Sequence, residues 1–579
     1  MATFVLPFSI EESKDNSGKL RNNELYNKLP ETFREVIDNN PHLLEYLNML
    51  PLSKTGIPDY HPELSKDLAD LKEPNIIYPV GNGIFTHILV DHKDSRNNYI
   101  QIEPTLIDNI YPLVEDVETA CIKFADKLPP FNIDGDKEVQ LKKYVTLVTT
   151  HDQIKISGKF DKYKTLLNSN NERIVKVHLS ERELEKVKYI FIRDKIGLGV
   201  LQSLIDDPYI EDIGCSGLGC IYIDHKIFKS LKGTITFSDM DDLDQFVLRL
   251  AEKIQKPVTY KSPIADSTLP DGSRINVVYG RDVSKRGSNF SIRKFSGVPL
   301  SIFDLVEFKT LNYQMLAYLS LIVGNGMNMF VAGESASGKT AMLNALTTFI
   351  DPLHKIITIE DTPELQVPHD NWIREVVQST QSNDTSGAIT MFDLLKAALR
   401  QRPNEILVGE IRGPEGNIAF QAMQTGHSVM ATFHAASVEK LIQRLTSNPI
   451  SVPKTYIDNL NVAIIMSTVR LPNGKMGRRI TDIAEITGYD SATESFNIVE
   501  SFHWDPEVDT FVFTGNMTSY ILEYKIAPML GIPSTKKQRI YKEIEKRARI
   551  FSRLHQEEGI TGFYEILEVL AKAQQEGVF

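Results

Sequence analysis

The stretch Val-Ala-Gly-Glu-Ser-Ala-Ser-Gly-Lys-Thr, at residues 331–340, decides the fold of this chain. Its last eight residues match the pattern G-x-x-x-x-G-K-[ST], in which glycines let consecutive backbone N–H groups curl around phosphate oxygens. Residues 327–332 are mostly apolar, as in a buried strand, and residues 341–350 can continue as a helix. A strand, a glycine-rich loop and a helix in this order predict a phosphate-binding loop for ATP or GTP.

The residues of this loop have separate predicted tasks. The ammonium group of Lys339 is expected to neutralise charge between the β- and γ-phosphates, and the Thr340 hydroxyl is expected to hold Mg²⁺. The predicted nucleotide-binding residues are Gly333, Glu334, Ser335, Ala336, Ser337, Gly338, Lys339 and Thr340.

Length and composition indicate a globular protein of several domains, with 579 residues, 42% hydrophobic and 24% charged. Cys121, Cys215 and Cys220 form no C-x-x-C pair, so we expect neither a disulfide framework nor a four-cysteine zinc site, and a reducing cytoplasm fits. No stretch is long and apolar enough to span a bilayer, and the amino terminus has no basic lead of a signal peptide. Any work at a membrane is therefore expected to go through partners.

The net charge of −12 is concentrated at the amino terminus. Residues 1–130 carry 12 basic and 21 acidic side chains, so nine of the twelve net negative charges lie there. Repulsion from phosphates opposes nucleic acid as the partner of this region. An acidic surface suits a basic protein partner, although a merely solvated acidic face explains any single run equally well.

Changes in composition divide the chain into five predicted segments. After residue 300 strands and helices alternate, which predicts a parallel, doubly wound α/β sheet, and Gly-Val-Pro at 297–299 is a predicted hinge. The segments are an acidic partner or adaptor region of helices and strands (1–128), a linker (129–175), a smaller α+β domain (176–296), the nucleotide-binding domain (300–510) and a helical carboxy-terminal region (511–579).

Two carboxylate-ending strands follow the loop. Residues 356–359 are mostly apolar and lead into Glu360 and Asp361, and residues 406–408 lead into Glu410, followed by Arg412. In a parallel sheet such strand ends lie at the edge that carries the phosphate loop. One carboxylate can hold Mg²⁺ through water while another deprotonates the attacking water. We assign the base to Glu360 and the Mg²⁺ contact to Glu410, although the two roles could be exchanged.

Two histidines flank an apolar strand at residues 428–433. His434, at the carboxyl end, is the better candidate for contact with the γ-phosphate or its water. His427, at the other end, is expected to support the fold or a subunit contact. Zinc is not expected here, because no cysteine is near.

These boxes resemble, in order and sequence, the hexameric secretion-type ATPases of type II secretion, type IV pili and archaeal surface filaments. Leu-Pro-Asp-Gly-Ser-Arg at 269–274 and Phe-Ser-Ile-Arg-Lys-Phe at 290–295 extend the resemblance over roughly residues 180–570. Residues 210–225 look most like the archaeal branch.

The resemblance implies a RecA-like ATPase domain in a cytoplasmic homohexamer that drives a polytopic membrane platform protein. ATP and Mg²⁺ would be the cofactors, held between two domains of one subunit. The matching arginines are Arg274, Arg286 and Arg293, whose alternative role is surface ion pairing. Ser267-Thr268 departs from the family, which often has an arginine there. The missing zinc insertion favours a pilus or archaeal filament machine.

Two other functions remain open from sequence. A DNA-transfer motor shares the fold, but the acidic charge opposes it. A nucleotide-dependent regulator needs no hydrolysis site, so Glu360, Glu410 and the arginines weigh against it.

Overall fold

The computed structural model describes residues 3–8, 24–106, 110–132, 135–150, 163–167, 173–295, 297–377 and 389–575. The chain folds into two compact units, Met1–Phe295 and Ser296–Phe579. The first unit runs across the predicted segment boundaries at 128/129 and 175/176. The second unit begins just before the predicted hinge at residues 297–299.

The described part of the first unit is built around one long mixed sheet. Its strands run in the order β12-β13-β14-β9-β10-β11-β5-β4-β3-β2, and β1 also pairs with β11. Three further short strands, β6 to β8, form a separate sheet. The strands are β1 (Thr3–Phe4), β2 (Asp59–Tyr60), β3 (Asn75–Gly81), β4 (Ile84–Leu89), β5 (Asn98–Ile102), β6 (Thr149–Thr150), β7 (Tyr163–Leu167), β8 (Arg173–His178), β9 (Ile210–Cys215), β10 (Gly219–His225), β11 (Lys229–Phe237), β12 (Ile264–Thr268), β13 (Arg274–Val278) and β14 (Asn289–Arg293).

Helices cover this sheet and form further buried clusters beside it. The predicted capping box is present, because the Ser180 hydroxyl accepts the Glu183 N–H while the Glu183 carboxylate accepts the Ser180 N–H. The helices are α1 (Glu24–Lys28), α2 (Glu31–Asn39), α3 (Pro41–Met49), α4 (Leu52–Thr55), α5 (Tyr111–Lys123), α6 (Lys137–Val148), α7 (Glu181–Lys195), α8 (Gln202–Asp206) and α9 (Met240–Lys253).

The amino-terminal strands and the following α+β strands share this one sheet. Strand β5 pairs in parallel with β11, with Asn98 opposite Lys232. The buried Asp207 carboxylate reinforces the junction by accepting hydrogen bonds of 2.6 Å from the hydroxyls of Tyr78 and Tyr99. Residues 75–102 are therefore integrated with the α+β strands of the first unit.

The segment predicted as a linker contains regular structure in its described part. Helix α6 lies there, and its Val145 and Val148 are buried in a cluster with Val187 of α7. The weak hydrophobic pattern of this segment concealed a helix that buries only its last turn. Residues 133–134, 151–162 and 168–172 of the predicted linker lie outside the described residues.

The second unit contains the predicted mostly parallel α/β sheet. Its strands are β15 (Met329–Gly333), β16 (Ile356–Glu360), β17 (Trp372–Val376), β18 (Glu405–Ile411), β19 (Ser428–Phe433), β20 (Val462–Arg470), β21 (Met476–Asp490), β22 (Ser495–Asp505) and β23 (Thr510–Val512). They run in the order β17-β16-β18-β19-β15-β20-β21-β22-β23. The first six of these pair in parallel, and the last three extend the sheet as antiparallel strands.

Helices pack on both faces of this sheet because its central strands are apolar on both sides. Along β15, Val331 faces a core that includes α11, α12 and α17, while Phe330 faces one that includes α13, α14 and α15. The helices are α10 (Ile302–Glu307), α11 (Tyr313–Gly324), α12 (Lys339–Leu346), α13 (Met391–Arg400), α14 (Glu415–Gln424), α15 (Val438–Thr446), α16 (Ala527–Met529), α17 (Ile540–Gln556) and α18 (Phe563–Gln575).

The carboxy-terminal region is helical, and α17 and α18 pack against the second unit's own core. Within the residues that the structure describes, no helix is both long and apolar enough to cross a membrane.

Candidate functional site

The phosphate loop joins the buried strand β15 to helix α12 with unusual backbone geometry. Ala336 and Gly338 have positive φ angles of 61° and 96°, and Gly338 immediately precedes the helix. A side chain at Gly333 would clash with the backbone carbonyl oxygen of Met466 on β20, so only glycine fits there. The loop therefore presents backbone N–H groups and a helix amino terminus, the geometry that binds phosphate.

The polar side chains of the loop fold back onto one carbonyl. The Lys339 ammonium and the Ser337 hydroxyl each donate to the Glu334 carbonyl oxygen, at 2.9 Å in both cases. Burial lowers the pKa of the half-buried Lys339, and the nearby Glu410 carboxylate partly offsets this. Thr340, in the first turn of α12, is half-buried. The Lys339 ammonium therefore lies in the phosphate loop, where it could compensate the charge of a bound phosphate.

Glu360 ends strand β16 and is almost completely buried, with 1% exposure. Its Oε1 accepts the backbone N–H groups of Glu364 and Leu365, each at 2.7 Å. Its Oε2 receives no hydrogen bond from the described residues, although Arg374 Nε on β17 lies 3.5 Å away. Burial raises the pKa of this carboxyl to about 7, because the two backbone N–H groups and Arg374 offset only part of the lost hydration.

Glu410 lies on the adjacent strand β18 in a different electrostatic setting. Arg412 Nη2 lies 2.6 Å from its Oε2. Burial acts to raise the pKa of Glu410, but Arg412, Lys339 and His434 together lower it below its usual value. Glu410 is thus held ionised close to the lysine of the phosphate loop.

The turn after Glu410 is fixed by a second carboxylate. Glu415, at the start of α14, accepts the N–H groups of Arg412 and Gly413 at 2.7 and 2.6 Å. Gly409 leaves room for the side chain of Glu360, because a Cβ at position 409 would lie 3.1 Å from Cγ of Glu360. These contacts set the ends of β16 and β18 side by side.

The two histidines lie at opposite ends of β19, as predicted. His434 follows the strand and lies near Glu410, and Arg444 donates a hydrogen bond to the carbonyl oxygen of His434. His427 precedes the strand, and its Nδ1 lies 3.1 Å from the Thr425 hydroxyl. At about 3.3 Å per residue the strand separates the two by roughly 20 Å, so only His434 is near the carboxylates. Asp361, next to Glu360, is exposed.

In the first unit, two of the three predicted arginines lie together. Arg274 on β13 is the direct cross-strand partner of Arg293 on β14. Arg274 pairs with Asp266 at 2.8 Å, and Arg293 pairs with Asp212 at 3.0 Å. Both arginines line an open polar cavity of about 820 Å³.

Arg286 lies apart from this pair. It belongs to the exposed turn that joins β13 to β14, at the other end of the hairpin, and its carbonyl oxygen accepts the Leu218 N–H at 3.1 Å. Five residues of strand, roughly 17 Å, separate the two ends.

The sequence analysis missed Arg374 and Arg478. Arg374 faces Glu360, and Nε of Arg478 on β21 donates to the carbonyl oxygen of Ala336 in the phosphate loop at 3.0 Å. Both come from strands outside the recognised boxes. Only the tertiary pairing of those strands brings them to the site.

Sequence comparisons show the family to which the chain belongs. The sequence model of the family described as Type II/IV secretion system protein matches residues 194–476, and the chain belongs to this family. The uncharacterized protein MJ0900 of Methanocaldococcus jannaschii is 40% identical over 557 residues, covering 94% of this chain and 97% of that protein. The type IV secretion system protein PtlH of Bordetella pertussis is 35% identical over 276 residues, covering 42% of this chain and 81% of PtlH.

Solved structures with a more distant likeness include two named ATPases or motors. The pilus retraction motor PilT with bound ADP is 17% identical, covers 63% of this chain and 89% of that chain, and has a TM-score of 0.35. The Legionella pneumophila ATPase DotB is 16% identical, covers 64% and 94%, and has a TM-score of 0.37. The family membership predicted from the sequence boxes is confirmed by the sequence matches.

Proposed function

We propose that this protein hydrolyses ATP with Mg²⁺ and couples the reaction to mechanical work in a filament or secretion machine. The observation that carries the proposal is the pairing of two unlike carboxylates on adjacent strands. Glu360 is buried with a pKa raised to about 7, whereas Glu410 is held ionised by Arg412 and Lys339. A poised base beside a permanently charged carboxylate is what metal-assisted hydrolysis requires.

The residues fit both cofactors. The curled loop and Lys339 suit a phosphate chain, and the unbonded Oε2 of Glu360 suits a water. Thr340 and Glu410, the latter through water, would hold Mg²⁺. When bound, ATP and Mg²⁺ supply an activated γ-phosphoryl group and its charge compensation.

Glu360 then has a defined task. Its Oε1 is fixed by two backbone N–H groups, which leaves Oε2 to accept a proton from a water. Because burial has already raised its proton affinity, Glu360 can accept that proton near neutral pH. His434 and Lys339 would contact the negatively charged phosphates. Arg412, Asp361 and His427 would support the surrounding loops.

Arg274 and Arg293 are proposed to compensate phosphate charge during hydrolysis. Their cross-strand pairing places two guanidinium groups at one cavity, and each is paired with an aspartate. A guanidinium fork binds phosphate oxygens in a bidentate manner, which a lysine cannot do. The similar role predicted for Arg286 stays a prediction.

At the level of the machine, we propose a homohexamer at the cytoplasmic face of a membrane. It would act on a polytopic platform protein and through it on a type IV pilus-like, archaellum-like or type II secretion filament. Support comes from the family membership and from the named type IV secretion relative PtlH.

The experiment is complementation in cells that lack the wild-type chain. Lys339→Ala is expected to abolish the filament or export process that the wild type restores, at equal protein level. An exposed-surface control, Lys261→Ala, is expected to restore it. Full restoration by Lys339→Ala would refute the motor function.

A further inference from the structure

We propose that Arg478 is a positioning residue that holds the phosphate loop in the conformation that binds nucleotide. This inference rests on the proposed function, because it assigns a task at the same site. Arg478 lies on β21, in the same unit as the loop but 142 residues further along the chain than Ala336. It would act through the loop backbone and not on the nucleotide itself.

Arg478 contacts the loop at a residue whose backbone conformation is unfavourable. Ala336 has a φ of 61°, in the left-handed region that residues with a Cβ rarely adopt. Nε of Arg478 donates to the carbonyl oxygen of Ala336 at 3.0 Å. A hydrogen bond from a charged donor is stronger than one between neutral groups, so it can offset the cost of this conformation.

The same side chain also lies beside the last glycine of the loop. A Cβ at Gly338 would be 3.4 Å from Cδ of Arg478, so the aliphatic part of the arginine lies next to that position. Gly338 has a φ of 96° and precedes the first turn of α12. Arg478 therefore contacts the loop on both sides of Ser337, just before the backbone N–H groups that a helix amino terminus offers to phosphate.

The backbone of Arg478 is held in place by its neighbour Arg479, which is buried. The Arg479 guanidinium donates to both carboxylate oxygens of Asp509, at 2.7 and 2.9 Å. Its Nη1 donates to the carbonyl oxygens of Phe308 and Arg478, at 3.0 and 2.9 Å. A bidentate pair has a defined geometry, so it fixes the backbone from which the Arg478 side chain reaches the loop.

The proposed task of Arg478 depends on the Cβ of Ala336. Glycine adopts the left-handed conformation without the steric cost that alanine has. If Arg478 stabilises that conformation, Ala336→Gly should make the loop less dependent on the arginine. A contact that only adds stability to the fold would not show this dependence.

The test uses the full-length chain. It measures equilibrium affinity for ADP and for a non-hydrolysable ATP analogue with Mg²⁺, turnover at saturating ATP, and the thermal unfolding midpoint without nucleotide. The variants are Arg478→Ala, Arg478→Lys, Ala336→Gly and the double variant that combines Arg478→Ala with Ala336→Gly. The control is Arg470→Ala, at an exposed arginine of the adjacent strand β20 whose cross-strand partner is Met476.

Arg478→Ala is expected to weaken binding of both nucleotides about tenfold, the loss typical of a charge-assisted hydrogen bond. At saturating ATP the bound phosphates restore the loop conformation, so turnover should stay close to the wild-type value, as should the unfolding midpoint. Arg478→Lys should recover part of the affinity, because an ammonium can donate to the same carbonyl oxygen. In the Ala336→Gly background, adding Arg478→Ala should cost about threefold or less. Arg470→Ala should match the wild type.

Wild-type affinity in Arg478→Ala, or an equal loss of affinity in the Ala336→Gly background, would overturn the assignment. A fall in turnover at saturating ATP without a loss of affinity would also overturn it, because Arg478 would then act in the chemical step itself. If the wild type bound neither nucleotide, the proposed function would fail instead.

Discussion

Glu360 and Arg374 lie on neighbouring parallel strands, with the arginine Nε 3.5 Å from the carboxylate Oε2. That distance is within reach of charge attraction but is not a hydrogen bond, so Oε2 keeps its capacity to accept one. Burial raises the pKa of Glu360, and the Arg374 guanidinium offsets part of that rise, which leaves the pKa at about 7. This geometry underlies the proposal that Glu360, at the end of β16, accepts the proton.

Glu360→Gln is expected to bind ATP but to hydrolyse it about 10²–10⁴-fold more slowly, the range for loss of a general base. Glu410→Gln should instead raise the Mg²⁺ concentration needed for half-maximal turnover, because it removes a negative charge from the metal position. Titration of turnover with Mg²⁺, beside ATP binding, separates the two effects. If the two phenotypes were reversed, the roles would have to be exchanged.

The turnover of the wild type should rise with pH through a midpoint near 7. Glu360 accepts a proton only when ionised, and burial raises its pKa to about 7, so activity is low below this value and is gained above it. Arg374→Gln should move the midpoint to higher pH, because the lost positive charge no longer favours the carboxylate. Lys396→Gln, a change at an exposed lysine of α13, is the control. If Arg374→Gln has the same pH midpoint of turnover as the wild type, the pH dependence belongs to a group other than Glu360.

Arg274→Ala and Arg293→Ala are each expected to lower kcat at least about tenfold, since each removes phosphate charge compensation. Arg286→Ala should cost less, because Arg286 lies at the opposite end of the hairpin. Single-turnover hydrolysis by the three variants, at saturating ATP, makes the comparison. A larger loss of kcat in Arg286→Ala than in the other two variants would mean that the turn end of the β13–β14 hairpin, and not the end with Arg274 and Arg293, faces the nucleotide.

Tyr78→Phe is expected to lower the free energy of unfolding of the first unit by about 1.5–3 kcal/mol, the value of a hydrogen bond to a charged group. It removes a 2.6 Å bond to the buried Asp207 and leaves that carboxylate with less compensation. Denaturant unfolding measures the change. Tyr60→Phe is the matched control, because the Tyr60 hydroxyl has no hydrogen-bond partner among the described residues, and it should be close to neutral. Equal effects would show that Asp207 does not tie β3 to the α+β strands.

The sequence predicted the local parts of the site better than the non-local ones. Gly333, Lys339 and Glu360 belong to short boxes whose spacing follows from strand and loop geometry, so their arrangement could be predicted. Arg374 and Arg478 reach the site through strand pairing alone, and such pairing leaves no local pattern.

The fold shows the same division. The parallel order around β15 was foreseeable from alternating strands and helices, whereas the antiparallel extension by β21, β22 and β23 was not. Burial along β21 and β22 follows no strict alternation, so their pairing depends on the neighbouring strand rather than on their own periodicity. Likewise, the parallel pairing of β5 with β11 joins residues more than a hundred positions apart.

The most direct test of the central claim is steady-state ATP hydrolysis by the purified full-length chain and by Lys339→Ala, with molar mass from light scattering. The account predicts Mg²⁺-dependent turnover by the wild type that rises as hexamers form, and no turnover by Lys339→Ala. Equal turnover by both proteins, or none by a verified wild-type hexamer, would contradict it.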